Sequence, residues 1–157
     1  LVRSGKPMVL VVNKWDLCRV DRDKYADRIR ETVAFLDFAP ILFISAERRE
    51  GIDSIFELIQ EILRQRMQII PTGELNRFLE LVEPTNNPTG VRLYYATQTS
   101  KNPPTITILV SDPKKVHFAY EGFIKNELRN RYGWMGSPIR LVFKARKRSP
   151  SKKTRHS

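Results

Sequence analysis

Apolar positions along the chain keep two different rhythms, one on each side of residue 70. Residues 8–12 (Met-Val-Leu-Val-Val) are an unbroken, largely β-branched run, as in a strand covered on both faces. Between about Arg22 and Leu36, the apolar residues Tyr25, Ile29, Val33 and Leu36 recur at helical spacing. Pro40 stops that pattern, and Ile41, Leu42, Phe43 and Ile44 make a second buried strand. Ile52, Ile55, Phe56, Ile59, Ile62 and Leu63 then predict an amphipathic helix reaching about Met67. Strand, helix, strand, helix is the order of a parallel sheet with crossover helices.

The pattern resets at Ile70, Pro71, Thr72 and Gly73. Leu75, Phe78, Leu79 and Val82 predict a short helix, ended by the Pro- and Gly-bearing loop 83–90. Residues 91–99 alternate Val91, Leu93, Tyr95 and Thr97 against Arg92, Tyr94, Ala96 and Gln98, and residues 105–110 alternate again. The two stretches predict an antiparallel hairpin with a longer loop between them. Tyr120, Ile124 and Leu128 mark a helix over about 118–131, and residues 139–143 a last strand. The order α-β-β-α-β describes an α+β unit with its helices on one face of a three-stranded sheet. The expected organisation is an α/β unit over 1–70, an α+β unit over 71–143 and a tail over 144–157.

Charge singles out that tail. Residues 1–70 carry 12 basic and 11 acidic side chains, and residues 71–143 carry 9 and 6. Residues 144–157 carry 7 basic and none acidic: Lys144, Arg146, Lys147, Arg148, Lys152, Lys153 and Arg155. Such a run suits phosphate contacts with RNA, and it equally suits a solvated, disordered terminus. Cys18 is the only cysteine and cannot form an internal disulfide, which fits a reducing cytoplasm. One Cys with His117 and His156 makes no recognised metal-ligand cluster. No apolar run is long enough for a membrane span, and no secretory leader is evident. The chain opens on Leu1, as a fragment or processed product would.

The chemistry concentrates where the first two strands end. Asn13, Lys14, Trp15 and Asp16 follow the first, and Ser45 and Ala46 follow the second, where a parallel sheet binds ligands. An ionised Asp16 is acceptor-only, so it can take guanine N1–H and the exocyclic amine together. Adenine lacks that donor pair and would leave the carboxylate unpaired. Asn13 is placed to brace the loop and touch the purine edge, and the Lys14 stem to cover the base or ribose. The Ala46 N–H is placed to approach guanine O6, with Ser45 holding the Asp16 loop. An ordinary polar turn after a core strand is the plainer account of the first loop alone. The Gly133-Trp134-Met135-Gly136 stretch matches G-x-x-G, but it lies between a helix and a strand. It is read as a helix cap and turn, not as a nucleic-acid clamp.

N-K-W-D and S-A resemble the base-contact loops of translation-factor-type P-loop GTPases. The stretches 90–113 and 119–147, with N-P-P-T and G-W-M-G-S-P-I-R-L, are similar to the C-terminal KH-like domain of the Der/EngA family. The resemblance implies the end of a second GTPase domain followed by a KH-like domain, from a GTP-hydrolysing parent acting in large-subunit ribosome assembly. It implies guanine contacts from Asn13, Lys14, Asp16, Ser45 and Ala46, and GTP or GDP as ligand. The implied partners are rRNA or the large subunit, and neighbouring GTPase domains. G-x-x-x-x-G-K-[ST] and the D-x-x-G switch motif do not occur in these 157 residues. The expectation is therefore no catalytic residue and no GTPase activity in this chain alone, with Mg²⁺ belonging to the missing phosphate-binding half. The alternative is a non-catalytic RNA-binding or interaction module, in which the first segment only supports the second.

Overall fold

The computed structural model describes residues 4–83, 87 and 90–146. Strands β1 (Leu10–Val12) and β2 (Ile41–Phe43) pair in parallel, with Leu10 opposite Ile41 and Val12 opposite Phe43. Helix α1 (Arg22–Thr32) is the crossover between them, and α2 (Ile52–Arg66) follows β2. Asp21 starts α1 as its N-cap, its carboxylate accepting the N–H groups of Asp23 and Lys24. The helix stops short of the expected Leu36. Val33 leaves helical geometry at φ −121°, and a separate 3₁₀ turn, Ala34–Leu36, carries the remaining apolar residues. Both strands are shorter than their apolar runs, and β1 is not covered on both faces: Val11 is 45% exposed. Two strands offer too little sheet for helices to bury.

The second unit follows the predicted order. Helix α3 (Thr72–Val82), β3 (Leu93–Lys101), β4 (Pro104–Val110), α4 (Phe118–Tyr132) and β5 (Arg140–Ala145) form a three-stranded sheet of order β3-β4-β5. β3 and β4 are antiparallel, and β4 and β5 are parallel through the α4 crossover. The hairpin loop is shorter than expected, because β3 runs on to Lys101 and β4 starts at Pro104. Both helices lie on one face, where Leu75, Phe78, Ala96, Ile106, Ile108, Tyr120, Ile124, Leu128 and Trp134 make one core.

Two expectations change here. A register shift between Leu93 and Tyr95 makes Tyr94 a bulge residue. The alternation after it is inverted: Ala96 points into the core and Tyr95 is 41% exposed. Tyr95 is therefore not the packing residue that strict period-2 reading makes it. The supposed tail also begins inside the sheet. Lys144 pairs opposite Leu109, and the Arg146 N–H donates to the Val110 carbonyl at 3.1 Å. Lys147, Arg148, Lys152, Lys153 and Arg155 lie outside the described residues.

The turn between α4 and β5 joins the two units. Gly133, at φ 87°, caps α4, as the sequence suggested. Gly136 then bridges the chain ahead of both short strands. Its N–H donates to the Phe38 carbonyl and its carbonyl accepts the Met8 N–H, each at 2.8 Å. Gln65 Oε1 accepts the Met135 N–H at 2.9 Å, and Arg66 Nη2 donates to the Gly5 carbonyl at 2.9 Å. This turn therefore closes the N-terminal ends of β1 and β2, and their C-terminal ends lie at the opposite edge.

Candidate functional site

Because β1 and β2 are parallel, the loops that follow them emerge side by side. Asn13 ties these loops together: its Oδ1 accepts the Lys14 N–H at 2.8 Å and the Ala46 N–H at 3.1 Å. The Trp15 N–H donates to the Ile44 carbonyl at 2.9 Å, a second strut between the loops. Lys14 sits in the left-handed region at φ 62° with its side chain exposed, and a 3₁₀ turn over Trp15–Leu17 follows. That turn sets the Asp16 side chain inward, only 5% exposed, with Oδ2 3.6 Å from Arg48 Nε.

The bracing role expected of Asn13 is in place, whereas two other details differ from the sequence reading. The Ala46 N–H is engaged by Asn13, so a purine oxygen would have to share or displace that bond. Buried Ser45 does not bond the Asp16 loop directly. Its N–H and carbonyl both pair with Glu50 at 3.0 Å, and its Oγ accepts the Arg48 N–H at 3.3 Å. Ser45 thus shapes the tight loop 45–50 that brings Arg48 to Asp16. Arg48 carried no sequence signal, since 47–50 reads only as a charged stretch. Trp15 packs against Phe43 and Tyr25, ring centroids 4.4 and 5.4 Å away, and anchors the Asp16 turn from below. The result is a recessed carboxylate at the joint of two braced loops, able to accept a pair of N–H donors from a planar ligand.

On the second unit, Lys144 is exposed on β5, and the Arg146 guanidinium lies 4.8 Å above the Tyr94 ring. Lys125 pairs with Glu121 at 2.6 Å. Arg129 is not the solvated cation its helix position suggests. It lies over the Phe38 ring at 5.9 Å, and burial lowers its pKa, with Asp37 opposing that shift.

Residues 70–144 match the family described as the KH-domain-like C-terminal domain of EngA bacterial GTPase enzymes. The chain aligns with the GTPase Der of Chloroflexus aggregans at 40% identity, over 94% of this chain and 35% of that protein. This chain belongs to the Der/EngA family, as its C-terminal part. The GTPase Der proteins of Alkaliphilus metalliredigens and Bacillus cytotoxicus are 38% and 37% identical over 90% and 91% of the chain. The chain spans about a third of the length of these curated relatives. The Der/EngA domain match ends at Lys144, so that lysine belongs to the KH-like unit rather than to a tail.

Proposed function

We propose that residues 1–70 are the base-reading half of a P-loop GTPase domain and that 71–146 are a KH-like module contacting RNA or a neighbouring GTPase domain. The parent protein binds and hydrolyses GTP and acts in the cytoplasm in large-subunit ribosome assembly. Asp16 reads the guanine N1–H and amine, Asn13 holds the two loops in register, and Lys14 covers the base or ribose. Ser45 and Ala46 form the second wall. The recessed Asp16 carboxylate at the strand ends carries this reading. Among the described residues, Arg48 at 3.6 Å is its one ionic partner, so its acceptor capacity suits a ligand's donors. GTP or GDP fits that donor set. Mg²⁺ and the phosphates require residues that this sequence does not contain.

Saturation-transfer NMR with GDP tests the pocket. Asp16→Asn, which turns one acceptor into an amide donor, is expected to weaken the guanine signal at least about tenfold. It is also expected to create binding of XDP, whose base carries an oxygen where guanine has its amine. Equal GDP signals from both proteins would reject the assignment. Phosphate release from GTP by the purified chain would reject its predicted inactivity.

A further inference from the structure

The β3-β4-β5 sheet has one face under α3 and α4 and a second that no described helix covers. Strand register shows what lies there. Tyr95 is opposite Leu109, and Leu109 is opposite Lys144; Thr97, Thr107 and Val142 form the next row; Thr105 is opposite Arg140. Arg140, Val142 and Lys144 are exposed, while Ile106, Ile108 and Val110 fill the core side. The bulge leaves Tyr94 and Tyr95 both outward, 40% and 41% exposed. Thr99 is exposed on β3, its hydroxyl 3.2 Å from that of buried Thr107 on the middle strand. None of the three strands contains an Asp or Glu, whereas Lys101, Arg140 and Lys144 lie within them and Arg146 follows β5.

We propose that this open sheet face binds single-stranded RNA. Exposed aromatics and the Thr99 hydroxyl on one edge strand and cations on the other suit an unpaired strand, whose bases offer π-faces and whose phosphates are anionic. Tyr95 is the stacking platform, and Lys144 and Arg140 on β5 meet the backbone across a width of about 10 Å, two strand spacings. Arg146 already holds Tyr94 by its ring and fixes that corner. The G-x-x-G turn is unsuited to the task, since Gly136 is committed to Met8 and Phe38. The groove between α3 and α4 is apolar at Phe78, Leu81 and Phe123, and its one cation among the described residues, Arg131, is offset by the Glu127 carboxylate. The inference rests on the reading of this unit as an RNA contact and assigns that contact to a surface.

Fluorescence anisotropy of the full chain with a labelled oligouridine of about 12 nucleotides tests it. A parallel background has Lys147, Arg148, Lys152, Lys153 and Arg155 all changed to Gln. In both, Tyr95→Ala is expected to weaken binding about tenfold, and Tyr95→Phe to retain it. Lys144→Gln is expected to lower the slope of log K against log salt by about 0.7. Unchanged affinity and slope in Tyr95→Ala and Lys144→Gln would overturn the proposal. Binding lost with the five distal cations yet indifferent to the face substitutions would keep the RNA contact and reject the sheet. No binding by the unaltered chain would reject both. A change in sedimentation on Tyr95→Ala, without a change in RNA affinity, would assign the face to a protein instead.

Discussion

Gly136 sits at φ 69°, where a Cβ would lie 2.6 Å from Ile62 Cδ1 and 3.1 Å from the Met8 carbonyl oxygen. Gly136→Ala combines left-handed strain with overpacking against a buried isoleucine, and is expected to destabilise the chain by about 1–3 kcal/mol. A lowered denaturant midpoint with unchanged m-value checks this. The same residue shows what a motif leaves unsaid: G-W-M-G names two glycines, but the partners that require the second come from residues 8, 38 and 62. The candidate base site divides in the same way. Asn13 and Asp16 are legible because an amide and a carboxylate follow an apolar run. Arg48 is not, because only the Ser45–Glu50 pairing folds it back toward Asp16.

Among the elements, α2 carries a charge clasp on its last turns. Glu61 accepts from Arg64 at 2.8 and 2.6 Å and from Gln65 at 2.7 Å. These hydrogen bonds lower the Glu61 pKa from 4.5 to about 2. With the folded value depressed, the stabilisation is full above 4.5 and is lost as pH falls from there through about 2. A carboxyl-carbon NMR titration is expected to place the Glu61 midpoint at about 2, and Arg64→Gln to move it upward. A midpoint at the ordinary value would disprove the clasp. Helix α2 was readable from its six apolar positions. The outward turn of Tyr95 was not, because one bulge residue reverses the side chains from Tyr95 to the next register shift, after Gln98, and nothing in the alternation announces the insertion.

Across the molecule, burial is uneven. No residue of α1, β1 or β2 is buried, whereas α3, β4 and α4 enclose the shared core. Amide hydrogen exchange is therefore expected to be slowest in β4 and α4 and fastest in β1, β2 and α1, where little apolar contact opposes local opening. Equal protection in both units would refute this. The sequence alone determined the alternation of elements, the α-β-β-α-β order and the presence of N-K-x-D and S-A after two apolar runs. Those features follow from local periodicity and from residue chemistry, which act within a few positions. Tertiary structure decided which strand ends remain available, which tyrosine faces outward, which arginine meets Asp16 and that Lys144 is strand rather than tail. Each of those depends on a hydrogen bond or a register between distant residues, and no local pattern encodes them.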